Sequence, residues 1–166
     1  WFFSSIEYFL CVFLFVFGSK DQLFTRTGNR EMPEANAVTE ELTEGLVVEQ
    51  KFKNITEDIN EIAIVFSRHY DLAENVNMVI ELLDGNNVLA SENINCDDIQ
   101  AKHRTYIKPT NLISGYVGKE LTLRVYTKST AGTGLAIMMN TNENTSFTFG
   151  NNSVKGTLCF SITGKE

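Results

Sequence analysis

The residues able to do chemistry are few and far apart. Histidine occurs twice, at His69 and His103. Either would have to serve as the base of a Ser-His-Asp triad, yet no GxSxG marks the strand-to-helix turn that presents such a serine. Asp97 and Asp98 are adjacent, so their side chains diverge. No second acid can be set opposite them as a glycosidase requires. Cys11, Cys96 and Cys159 lack the CxxC spacing of a zinc site and are too few for a disulfide scaffold. Cys96 and Cys159 read either as one bridge or, in preference, as two unpaired small apolar side chains. The loop acids Asp71, Glu74, Asp84, Asp97 and Asp98 are candidate calcium ligands, but no DxDxDG pattern frames them. A structural calcium is therefore not favoured, and neither a metal ligand nor a cofactor is assigned. What the residue types do allow is sugar binding, in which aromatic faces stack on apolar sugar faces beside hydrogen-bonding groups. Tyr70, Tyr106, Tyr116 and Tyr126 are the candidate platforms, with Arg68, His69 and Arg104 as polar neighbours. Tyr70, Tyr106, His69 and Arg68 form the preferred glycan-binding set. The competing reading packs these tyrosines at sheet edges or between sheets, since aromatics are ordinary strand residues. No catalytic residue is assigned, and the chain is read as a non-enzyme.

Charge narrows the partners further. The 166 residues carry a formal net charge of -7, with no cluster of Lys and Arg. Phosphate backbones need such a cluster, so nucleic acid is excluded as a partner. The acids Glu31, Glu34, Glu40, Glu41 and Glu44 form a run with no base among them, the composition of a solvated spacer.

The elements that must position these residues are strands. In the stretch around residues 59–89, Ile62, Ile64 and Phe66 recur at period two while Ala63 and Val65 make the opposite face apolar as well. That is the pattern of a central strand buried on both sides. Val76, Met78, Ile80 and Leu82 alternate along the next strand, with Val79 and Leu83 on its other face. Asp84, Gly85, Asn86 and Asn87 then form a hairpin turn into Val88, Leu89 and Ala90. Leu46, Val48 and Phe52 supply an earlier strand. A helical turn is expected at Asp97, Asp98 and Ile99, and a short strand over 104–108 is stopped by Pro109. Leu121, Leu123 and Val125, then Leu135, Ile137 and Met139, and finally Leu158, Phe160 and Ile162 complete the series. Eight or nine short strands at turn-punctuated intervals predict a mainly β fold, a two-sheet antiparallel β-sandwich that is jelly-roll-like.

Residues 1–18 are different in kind, an apolar run broken only by Ser4, Ser5 and Glu7. At about 1.5 Å per residue this nearly crosses a hydrocarbon core of about 30 Å. An N-terminal transmembrane helix is expected, and a cleaved signal peptide is the rival reading. Residues 19–44 are expected to be a polar acidic linker with a short helical turn around Val38 to Leu42, and residues 45–166 the sandwich domain. Lys20, Arg26 and Arg30 would by themselves hold the following flank in the cytoplasm, but a folded domain translocates largely regardless of charge.

The order NEIAIVFSRHY, VNMVIELLDGNNVLA, YIKPTNLISGYVGKELTLRVYTKS and LCFSI resembles the β-sandwich domains that multi-spanning bacterial proteins carry outside the membrane. Those proteins are similar to glycosyltransferases and polymerases of cell-surface polysaccharide assembly. The resemblance covers roughly residues 46–163 and lies in strand spacing, the Asp84-Gly85 turn, the Pro109 stop and the Ser114 to Gly118 loop. It implies a cell-membrane location with the sandwich outside the cytoplasm, no catalytic motif in this domain, and weak glycan binding. A structural or protein-contact sandwich without ligand and a small secreted glycan-active enzyme are the alternatives. The sequons at Asn54, Asn144 and Asn151 read, in a bacterial chain, as polar turns.

Overall fold

The computed structural model describes residues 30–68 and 75–164. Among them are thirteen strands in chain order: β1 (Ala37–Val38), β2 (Val47–Lys53), β3 (Asp58–Arg68), β4 (Asn77–Asp84), β5 (Asn87–Asn95), β6 (Arg104–Ile107), β7 (Ile113–Ser114), β8 (Glu120–Thr127), β9 (Leu135–Asn140), β10 (Ser146–Phe149), β11 (Asn152–Lys155), β12 (Thr157–Leu158) and β13 (Phe160–Gly164). They form two antiparallel sheets. One has six strands in the order β11-β10-β2-β8-β4-β5; the other has seven, built on β1-β9-β3-β13 with β6, β7 and β12 paired alongside. The two-sheet sandwich expected from the strand spacing is present. The strand count exceeds eight or nine because β1, β7 and β12 are two-residue pieces, too short to leave an alternating pattern, and the mostly exposed β11 has no apolar alternation.

The period-two patterns map directly onto burial. In β8, Leu121, Leu123 and Val125 are buried while Glu120, Thr122, Arg124 and Tyr126 face outward. β3 is buried on both faces from Ile62 to Phe66, as its continuous apolar run requires. The β4–β5 hairpin turns at Gly85, whose φ of 57° lies in the region glycine enters without cost. Register slips between Leu82 and Leu83, so Leu89 is an extra residue on β5. Glu92 stands opposite core-facing Ile80, which places this exposed charge on the inner side of an edge strand. The expected helical turn is a 3-10 turn, Cys96–Asp98, capped by the Asn95 side chain accepting from the Asp97 amide.

One polar tie crosses the interior. Gln50 on β2, 2% exposed, donates to Thr157 Oγ1 at 2.6 Å and accepts from the Leu158 amide at 2.7 Å, joining the two sheets. Arg30 caps this tie. Its guanidinium donates to Thr157 Oγ1 at 3.1 Å and lies 4.2 Å from the centroid of the Phe160 ring, which meets Phe52 edge-on at 5.2 Å. Burial lowers the Arg30 pKa, partly offset by Glu143.

The linker expected over residues 19–44 is corrected from Arg30 onward. Arg30 bridges Ile162, Ala37 and Val38 pair with Met139 and Met138, and Leu42 is wholly buried in the core. The Thr39 hydroxyl accepts from the Ile137 amide at 2.9 Å, and Glu41 accepts from the Gly134 amide at 2.8 Å. No helical turn forms at Val38 to Leu42, because the free edge of β9 offers this stretch a ladder and the core offers Leu42 a site. Residues 1–18, where the membrane helix is expected, lie outside the described residues. Among the described residues no helix is long and apolar enough to cross a membrane.

Gly156 marks a close approach of backbones. It has φ of 123°, and a Cβ there would lie 2.5 Å from the carbonyl oxygen of Asn140. Gly156→Ala is expected to cost about 3 kcal/mol through strain and overpacking, read as a lower urea midpoint at unchanged slope. A midpoint equal to that of the parent would show that the loop relaxes freely.

Candidate functional site

The outward residues of the six-stranded sheet bring together groups that lie far apart in sequence. Register sets Thr148, Glu49, Arg124 and Glu81 in one row across β10, β2, β8 and β4. Val47, Tyr126 and Val79 make the next row. Cross-strand neighbours on one face stand close enough for side chains to meet. Arg124 Nε donates to Glu49 Oε1 at 2.6 Å, and its Nη1 to Glu81 Oε2 at 3.5 Å. The Tyr126 hydroxyl donates to the other Glu81 oxygen at 3.2 Å. The hydrogen bond to Glu49 is the main reason the Arg124 pKa is raised. Burial and then the Glu81 charge raise that of the Tyr126 phenol.

Glu49, Arg124 and Tyr126 line a shallow depression of about 330 Å3 together with Val47, Thr148 and Gly150. Its floor is a guanidinium fixed between two carboxylates, with an aromatic ring at its side and a hydroxyl at its rim. Such a surface can exchange hydrogen bonds with vicinal hydroxyls and offer a ring to an apolar sugar face. Both carboxylates are committed to Arg124. The depression's lining holds no serine, cysteine or histidine to act as nucleophile or base.

The residues chosen from sequence fall elsewhere. Tyr106 on β6 pairs with Ala63 and is 52% exposed, on the outer face of the seven-stranded sheet. Arg68 ends β3 five residues further on, about 16 Å away at the usual rise, and continues the opposite, core-facing row of Ile62, Ile64 and Phe66. Its guanidinium donates to the Ile99 carbonyl at 3.0 Å. The structure does not bring Arg68 and Tyr106 together. His69 and Tyr70 lie outside the described residues. Tyr116 is half-buried against the core beneath Lys119, whose Nζ is 4.6 Å from the ring centroid. Of the tyrosines proposed as platforms, Tyr126 is, among the described residues, the one whose hydroxyl bonds a carboxylate. Its partner Glu81, and Glu49 on the far side of Arg124, carry no signal in the sequence beyond their outward positions on alternating strands.

Cys96 and Cys159 are unpaired and buried, as preferred from the sequence. Burial pushes both thiols up to about 11, with Asp97 adding to the effect at Cys96. Protonated at neutral pH, they are poor nucleophiles. Among the calcium candidates, Asp84 pairs with Lys119 at 3.6 Å and Asp97 accepts from the Asn75 amide at 3.5 Å. Among the described residues no three His, Cys, Asp or Glu side chains gather. The Asn54 sequon is internal: Asn54 is 1% exposed and its amide group brackets Thr56, donating to its carbonyl and accepting from its N–H.

No protein-family model matches the chain, and no curated protein matches it significantly.

Proposed function

We propose that this chain is a non-catalytic, extracytoplasmic part of a membrane protein in envelope polysaccharide assembly, and that it binds glycan weakly on the outer face of the six-stranded sheet. In this reading residues 1–18 are the membrane helix and the sandwich is jelly-roll-like. The setting follows from the resemblance of the strand series to the outer domains of polysaccharide-assembly proteins. The observation that carries the binding site is the Tyr126 ring set beside a guanidinium that Glu49 and Glu81 hold in place. Preorganised groups lose little freedom on binding, and the depression falls in the size range of small-ligand sites. Few stacked rings are on offer, so millimolar affinity is expected.

Titration of the full chain in detergent with envelope oligosaccharides, followed through amide chemical shifts, tests the reading. Shifts are expected along β2, β4 and β8. Tyr126→Ala is expected to weaken binding about tenfold or more, the equivalent of about 1.4 kcal/mol, while Tyr106→Ala leaves it unchanged. An unshifted spectrum with every oligosaccharide would end the glycan reading and favour a protein-contact sandwich.

A further inference from the structure

Six large apolar side chains are exposed among the described residues: Val38, Ile55, Val88, Tyr106, Leu112 and Val117. Three of these, Ile55, Leu112 and Val117, sit on connections at one pole of the sandwich, Leu112 just before β7, whose Ile113 pairs with Ile59 near the start of β3; Val88 is the second residue of β5, next to the 84–87 turn. β2 runs into the 54–57 connection at this pole, the 84–87 turn ends there, and the loop between β7 and β8 spans it. The three connections are tied to one another. The Gly118 amide donates to the Asn54 carbonyl at 2.7 Å, the Asn54 amide donates to the Lys119 carbonyl at 2.9 Å, and Lys119 pairs with Asp84 at 3.6 Å. Isolated exposed apolar residues are ordinary, but four of the six gathered at one pole mark it as a place of contact with something apolar.

The direction of the chain indicates what that is. Arg30 lies level with Ile162 and hence with Ile62. From there backbone bonds run from Asn36 to Met139, Thr39 to Ile137 and Leu42 to Leu135, stepping toward the opposite pole. The described chain therefore enters near the middle of the domain and runs away from the apolar tips, so that the sequence before Arg30 arrives from their direction. The sequence that precedes it holds the apolar run of residues 1–18. Tyr116 and Lys119 stand at the same pole, an aromatic and a cation of the kind enriched at membrane interfaces.

The geometry points to this pole as a lipid-contact surface: Ile55, Val88, Leu112 and Val117 dip into the headgroup boundary of the bilayer that holds residues 1–18. This rests on the membrane-anchored part of the proposed function and not on its glycan part. It fixes the domain's posture, with one pole on the lipid and the 128–134 loop at the far end in water.

Full-length chain carrying Trp1→Phe, so that no native tryptophan remains, is reconstituted into phosphatidylcholine vesicles with and without brominated acyl chains. Leu112→Trp and Thr130→Trp are compared, Thr130 being exposed in the far loop. The expected result is blue-shifted emission from the Leu112→Trp probe, largely lost in brominated vesicles, and unshifted, unquenched emission from Thr130→Trp. Protein that fails to float with the vesicles overturns the membrane reading and this inference together. Protein that floats with the Leu112→Trp probe unquenched overturns the lipid contact alone and leaves the anchor standing. Equal quenching of both probes overturns the assignment of one pole.

Discussion

Phe160→Ala is expected to remove about 3–5 kcal/mol of stability, which is most of what a domain of this size has in hand. Phe160 is wholly buried, and its loss would open a cavity at the point where the two sheets are joined. It would also remove the edge-on partner of Phe52 and the face on which the Arg30 guanidinium rests. Arg30 is already held in a site that disfavours its charge, and without the ring that site retains the cost of desolvation and loses the compensating contact. Urea unfolding monitored by circular dichroism reads the effect, and Phe160→Leu should recover roughly half of it. A variant that unfolds within about 1 kcal/mol of the parent would show that the Gln50 tie holds this region without the ring.

A chain beginning at Gly45 is expected to be less stable than one beginning at Arg30 by about 4 kcal/mol or more. Removing Leu42 alone from the core accounts for about 2–5 kcal/mol. The same cut strips the β9 edge of β1 and leaves the Ile137 and Gly134 amides without the Thr39 and Glu41 oxygens they now bond. Side-by-side urea curves of the two chains decide it. Coincident curves would return residues 30–44 to the status of a tether.

That segment also shows where the sequence was legible and where it was not. β3, β4, β8 and the 84–87 turn could be read because burial on one or both faces leaves a period of two, and because a hairpin turn needs residues that tolerate positive φ. Residues 30–44 look like solvated spacer since their acids dominate the composition, yet a single apolar residue, Leu42, and a few backbone bonds are enough to fasten them. Composition averages over a segment, whereas docking depends on one side chain finding one site. The binding face was hidden for another reason. Glu49, Glu81 and Arg124 lie on three strands up to 75 residues apart, and nothing in spacing says that β2 and β4 flank β8. Strand order is decided by tertiary pairing. Tyr126 was visible as an aromatic, but not as a tyrosine whose hydroxyl bonds a carboxylate.

The slip at Leu89 and the inward Glu92 bear on how many copies of this domain can be crowded on one surface. β5 is the long free edge of its sheet, the kind of edge along which like molecules zip together into fibres. A second strand laid against it would meet a kink where Leu89 is extra and would have to seal the Glu92 carboxylate inside the joined sheets, away from water. At the other end of the same sheet, β11 is four residues long and finishes on Lys155. Copies crowded side by side are therefore hindered from joining through these two edges into one continuous sheet.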